Sequence, residues 1–263
     1  MTARIAFRVF ALGYLALLLV FPVCIIFARA FGEGLGAVWQ AVIDPEALHA
    51  LWMTLLIASI AVAANTVFGI ICATVLVRHD FRGKSVLNAI LDLPLAISPV
   101  VVGLSLLIIY GRTSPIGVWL AEMGVRIIFS TPGMILATIF ISLPFVVREV
   151  VPVMREIGTE QEQAASTLGA SAFQTFWMVT LPAIRPGVAY GIVLTMARAI
   201  GEFGAVSVVS GQISGITETM TIYVSSSFER FDLVGCYSAA VVLALIAIGT
   251  LLLTNLTGRK EEY

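Results

Sequence analysis

Six stretches of this chain stay apolar for about 20 residues, enough to cross the hydrocarbon core of a bilayer. They lie at roughly 9–28, 52–77, 86–110, 132–154, 188–210 and 234–257. In lipid every backbone N–H and C=O must find its partner within the protein, and for isolated apolar runs of this length that means helix. The pattern therefore predicts an all-α membrane protein with six transmembrane helices in one domain, residues 1–263. Composition agrees: 59% of the residues are apolar and 12% charged, against roughly 25% charged in soluble domains.

An even number of spans puts both termini on one side. The first segment follows Arg4 and Arg8 and ends near Ala28-Arg29-Ala30, which mimics a signal-peptidase site. Its apolar region is too long for a typical signal peptide, so an uncleaved first helix is expected. With the N-terminus cytoplasmic, that side carries ten Lys/Arg (Arg4, Arg8, Arg78, Arg82, Lys84, Arg148, Arg155, Arg185, Arg259 and Lys260) against four opposite (Arg29, Arg112, Arg126 and Arg230). This is a positive-inside asymmetry and points to a multi-pass membrane protein with both termini cytoplasmic.

Several chemistries are disfavoured. A net charge of −1 gives no pull towards nucleic acid. Cys24, Cys72 and Cys236 sit in or beside apolar runs with no C-x-x-C spacing, and His49 and His79 are far apart, so neither a disulfide framework nor a metal site is expected. Gly83-Lys84-Ser85 ends like a phosphate-binding loop, but the glycine required five positions earlier is Arg78. No catalytic constellation and no nucleotide site is predicted on this chain.

Between the fourth and fifth apolar runs lies a polar segment, 156–187. Thr159 and Glu162 have capping-box spacing, and Gln161, Ala164, Ala165 and Leu168 then share one helical face before Gly169, placed for a left-handed stop. Ser171 and Gln174 repeat the capping spacing, and Phe173, Phe176 and Trp177 form an aromatic stripe up to Leu181-Pro182, where proline should end the helix. A helix–glycine–helix corner on the water side is expected, suited to docking in a groove. An ordinary connector would have the same shape.

The residues of that corner resemble a known family. Gln163-Ala164-Ala165, then Gly169, then Leu181-Pro182 twelve residues on, is similar to the EAA motif of permease subunits of bacterial ABC importers. The resemblance implies a MetI-like, type I importer fold and makes Glu162, Gln163, Ala164, Ala165, Gly169, Leu181 and Pro182 the contact with an ATP-hydrolysing subunit. Gln163 stands where the motif has glutamate, although Glu162 is adjacent.

Two membrane segments carry further candidates. Pro94 and Pro99 interrupt the third, which is either an ordinary kink or a pathway lining, with Ser98 and Ser105 as pore candidates. In the fifth, Gly187, Gly191 and Thr195, continued on a shifted face by Ala197, Gly201 and Ala205, permit close helix approach. It also holds Arg198 and Glu202, four apart on one face, which read as a structural ion pair, a polar lock to a neighbour, or a substrate contact. The polar loop 212–233 is expected on the outer side, as a solvated loop or a meeting surface for a binding protein.

The run Ala197-Arg198-Ala199-Ile200-Gly201-Glu202-Phe203-Gly204-Ala205 looks like the sulfate/molybdate branch of these permeases. What the branch implies is ATP-driven import of sulfate and thiosulfate, with molybdate or tungstate as the alternative. The implied partners are a homologous second permease subunit, two ATP-binding subunits that use the ATP, a periplasmic sulfate-binding protein and the lipid bilayer, with no cofactor on this chain. An ion-gradient-driven transporter would also account for Arg198 and Glu202 but leaves the corner unexplained. An intramembrane enzyme lacks its Ser–His or paired-aspartate signature.

Overall fold

The computed structural model describes residues 2–258; Met1 and residues 259–263, including the predicted inner-side charges Arg259 and Lys260, lie outside the described residues. Those described are helical, with no strand among them. A first helix, α1 (Phe10–Glu33), passes through Ala28-Arg29-Ala30 and is exposed along its apolar length. After α2 (Leu35–Val42) comes α3 (Pro45–Arg78), started by Asp44, whose carboxylate accepts from the Glu46 and Ala47 N–H groups. A bent pair follows, α4 (Lys84–Ala96) and α5 (Pro99–Tyr110), then α6 (Pro115–Glu122) and the long α7 (Thr131–Ile157).

The corner is α8 (Glu160–Thr167) and α9 (Ala172–Ala183). It leads into α10 (Arg185–Ile200), α11 (Gly204–Ser210), α12 (Met220–Glu229) and α13 (Leu233–Gly258). Four helices, α1, α3, α7 and α13, are singly long and apolar enough to cross a membrane, and bent pairs bring the number to as many as six.

The bundle is organised along α3 and α7. Water-free surroundings give apolar side chains no preference for one another over lipid, so membrane helices associate through close backbone approach. The buried stripe of α3 obeys this: Ala47, Ala50, Thr54, Ala58, Ala61, Asn65, Gly69 and Ala73 recur every three or four residues. One core cluster joins Met53 and Ile57 of α3 to Val102, Met134, Ala137 and Ile141. A second joins Cys72, Ala73 and Leu76 to Leu91, Val147, Val150 and Met154. Between them Asn65, fully buried, donates to Ser142 Oγ at 2.8 Å and the Ile139 carbonyl at 3.1 Å.

Val146 is wedged between two glycines. A Cβ at Gly69 would lie 2.7 Å from its Cβ, and one at Gly191 would lie 3.0 Å from its Cα. The small-residue row of α10 thus meets α7, as its spacing predicts. Gly69→Val should cost about 1–3 kcal/mol by overpacking, whereas Gly249→Val, with open space around it, should not. The melting temperature of the purified protein is the check.

Two expected spans are not single helices. The third bends by 109° between α4 and α5, because Pro99 keeps Ser98 out of the helical region and Ile97 before it is extended, whereas Pro94 stays inside α4. The pair still runs the length of α7, α4 against its C-terminal half and α5 against its N-terminal half. The fifth breaks at Gly201-Glu202-Phe203, between α10 and α11. The two breaks meet: a Cβ on Gly204 would sit 2.9 Å from Pro99 Cβ, and one on Gly103 2.8 Å from the Ala205 carbonyl. Unsatisfied backbone at membrane depth is tolerated where protein covers it.

The loop 212–233 also differs from expectation. Thr217, Glu218 and Thr219 are buried and α12 packs against the start of α3 and α13. The Met220 N–H donates to Thr54 Oγ1 at 2.8 Å, so the loop folds back into the bundle.

Candidate functional site

The corner is built by two glycines and one capping box. α7 ends at Gly158, whose φ of +70° only glycine adopts cheaply. α8 ends with Gly169 at φ +87° in a left-handed cap: the Gly169 N–H donates to Ser166 O and the Ala170 N–H to Ala165 O, both at 3.0 Å. The Ser171–Gln174 capping box forms in both directions. The Thr159–Glu162 box does not: Thr159 makes no capping bond to the backbone and instead accepts from Gln163 Nε2 at 3.0 Å.

Glu162 is engaged elsewhere. Arg78, the last residue of α3, reaches it through Nε at 2.9 Å to Oε2 and through Nη2 at 3.1 Å to Oε1. Thr180 Oγ1 donates to the same carboxylate at 2.8 Å. Arg78 also donates to the Gly158 carbonyl at 2.7 Å and the Met154 carbonyl at 3.3 Å. One guanidinium and one carboxylate thereby join four elements, α3, the end of α7, α8 and α9. Both side chains are mostly buried, 13% and 22% exposed. Capping was the only role that spacing offered Glu162, and a cross-helix partner in the competing position wins because it is charged.

Around this clamp the corner turns apolar side chains outward. Leu168 is 88% exposed and Phe173, Trp177 and Met178 are exposed as well. Gln163, Ala164 and Gly169 lie on the exposed side and Ala165 is half-buried. Leu181 points inward, packing on the second core cluster. Pro182 does not end the helix. The π turn Phe176–Thr180 widens the ladder ahead of it, and the chain bends by 68° only at Ile184. In the loop before α4, a hydrogen bond from Lys84 holds the Asp80 carboxyl below its usual range.

Arg198 and Glu202 do pair, Nη1 to Oε2 at 2.6 Å, with side chains 31% and 2% exposed. Glu202 has further duties at the break: Oε1 accepts from the Ala205 N–H at 2.8 Å, starting α11, and its carbonyl accepts from Thr221 Oγ1 at 2.8 Å. Ser98 lies exposed at the α4–α5 bend, and Ser105, also exposed, returns its hydroxyl to the Val101 carbonyl at 2.8 Å. The breaks bring Ser98 and Glu202 into one region; Ser105 lies two turns along α5. No group of three or more potential metal ligands exists among the described residues.

Among the ion pairs that the sequence did not announce is Asp92 on α4 with Arg148 on α7, where Nε donates to Oδ1 at 2.7 Å and Nη2 meets Oδ2. An acid inside a predicted apolar segment was the available signal.

Comparison with known proteins places this geometry. The model of the family described as binding-protein-dependent transport system inner membrane component matches residues 65–259. The sulfate transport system permease protein CysW of Synechocystis sp. is 50% identical over 96% of this chain and 92% of its own. The corresponding CysT of Synechococcus elongatus is 39% identical over 92% and 87%. A bacterial alginate ABC transporter, solved in complex with an alginate pentasaccharide-bound periplasmic protein, superposes with a TM-score of 0.80 over 98% of this chain and 94% of that one, at 18% identity. Both the fold and the sequence thus have counterparts: the chain belongs to the family of binding-protein-dependent transport system inner membrane components, in the branch that contains the sulfate transport system permease proteins.

Proposed function

We propose that this chain is one of two homologous permease subunits of an ATP-driven importer that carries sulfate, and with it thiosulfate, across a bacterial inner membrane. The observation that carries the substrate is the half-identity, over nearly the whole chain, to a relative named for sulfate transport. The similarity to CysT as well as CysW supports a second permease subunit related to this one, and the alginate complex supports a periplasmic binding protein as donor.

Both termini face the cytoplasm in this reading, by the excess of Lys and Arg at the corner's end. Two ATP-binding subunits sit there and hydrolyse the nucleotide; this chain supplies path and lever. Leu168, Phe173, Trp177 and Met178, apolar at a water-facing end, are the docking surface, with Gln163, Ala164 and Ala165 beside them. Movement of the motor subunits reaches α3 and α7 through the Arg78–Glu162 clamp.

The test is uptake of radiolabelled sulfate into proteoliposomes holding the chain with its partner subunits, binding protein outside and ATP within or omitted. Uptake is expected to require ATP and to be abolished by Gly169→Asp. An aspartate at φ +87° strains the left-handed cap by roughly 1–2 kcal/mol and puts a charge on the docking face. Uptake that persists without ATP and ignores Gly169→Asp refutes the importer reading; uptake of molybdate in place of sulfate moves only the substrate.

A further inference from the structure

We propose that the cleft between α4 and α7 is the corner-side half of the transport path, and that Arg155, Asn88 and Ser85 contact a tetrahedral oxyanion there. The proposal rests on the oxyanion-importer reading and adds residues to it.

The two faces of α4 differ in kind. Val86, Ile90 and Leu93 are exposed on one side, while Ser85, Asn88 and Asp92, at i, i+3 and i+7, form a polar row on the other. On α7 Arg148 and Arg155 are seven apart and face the cleft, whose volume is about 610 Å³. Lys84 lines it too, so its wall holds three cationic side chains, with the Asp92 carboxylate beside them on Arg148.

Depth bears on what fills it. Asp92 lies eight residues past Lys84, and Arg148 nine before Ile157, each on the order of 12 Å in from the corner's end at 1.5 Å per residue. Yet their side chains are 36% and 43% exposed. Exposed ions at that depth are expensive in hydrocarbon, so this face turns away from lipid, and we take it as water-filled.

The charges then separate. Lys84 is held by Asp80 at 2.7 Å and Arg148 by Asp92. Arg155 has no counter-ion among the described residues, and the side chains of Asn88 and Ser85 make no hydrogen bond there. A guanidinium fork, a carboxamide N–H and a hydroxyl on facing helices are the donors that a tetrahedral dianion requires. An anionic lipid headgroup shares that chemistry, and the experiment distinguishes the two.

The assembled complex, with Cys24→Ser to remove the exposed native thiol, is given Ser85→Cys and reconstituted without ATP in vesicles of zwitterionic lipid, with or without phosphatidylglycerol. A charged, membrane-impermeant thiol reagent on the corner's side is expected to label the new thiol. Sulfate, against chloride at equal ionic strength, is expected to slow labelling by about threefold, as a ligand at twice its Kd does. Arg155→Gln is expected to remove that protection and leave labelling intact.

A thiol that the reagent cannot reach overturns the water-filled cleft. Protection that follows phosphatidylglycerol and ignores sulfate and molybdate overturns the anion site in favour of a lipid. Labelling reads occupancy in the otherwise native chain and uptake reads transport. Absence of sulfate protection with Arg155 intact, in a complex whose native form takes up sulfate, therefore refutes this inference alone, and absent uptake by the native complex refutes the function.

Discussion

Glu162→Ala is expected to leave the permease inserted and assembled while reducing sulfate uptake by about tenfold or more, with ATP hydrolysis by the complex continuing. The carboxylate accepts from Arg78 and from Thr180 and is the main tie on α8, a helix of eight residues too short to be stable alone. Losing one partner of a buried pair costs about 3–5 kcal/mol, less here because the two side chains keep 13% and 22% exposure, and each 1.4 kcal/mol shifts the tied population tenfold. The cost falls on the corner and not on the bundle, because Arg78 keeps its bonds to the Met154 and Gly158 carbonyls. For the same reason the exchange Arg78→Glu with Glu162→Arg should not restore uptake: a carboxylate at the end of α3 would face those two carbonyls. Simultaneous assay of hydrolysis and uptake is the check. Full uptake in Glu162→Ala would mean that the corner transmits force by packing alone.

Arg78 shows why the site was only partly legible in the sequence. The corner itself was readable, since Gly169 and the Ser171–Gln174 box are local devices whose partners lie within five residues. Arg78 and Glu162 are 84 residues apart, and nothing in the spacing of either names the other; Arg78 registered only as a positive charge at a span's end. The interruption of the third segment was readable from its prolines, though not the 109° angle. The break in the fifth was not: hydropathy counts apolar residues and does not see that Glu202 starts a new helix within a run apolar enough to pass as continuous. The small residues of α10 were read correctly because close approach depends on the glycines themselves, whatever the partner turns out to be. The buried Glu218 in an apparently polar loop was missed, since a polar run of that length is ordinarily solvated.

Arg198→Met and Glu202→Ala are each expected to reduce the amount of folded, assembled complex, by about 3–5 kcal/mol of stability, as breaking a buried pair from one side does. The larger loss should come from Arg198→Met, because it leaves the nearly inaccessible Glu202 carboxylate without a counter-charge at membrane depth. Glu202→Ala leaves Arg198, a third exposed, and strands the Ala205 N–H that starts α11. Arg198→Met combined with Glu202→Gln removes both charges together and keeps an amide oxygen for the Ala205 N–H, so the double variant should be better folded than Arg198→Met alone. Thermal unfolding of the purified complex measures this non-additivity, and sulfate uptake of the double variant then separates two roles. Recovered stability with recovered uptake makes the pair a fastener for the break between α10 and α11. Recovered stability without uptake makes the partly exposed Arg198 guanidinium a contact for the anion. A normal melting temperature for Arg198→Met would show instead that the break is held by Glu202, Ala205 and Thr221 without help from the charge.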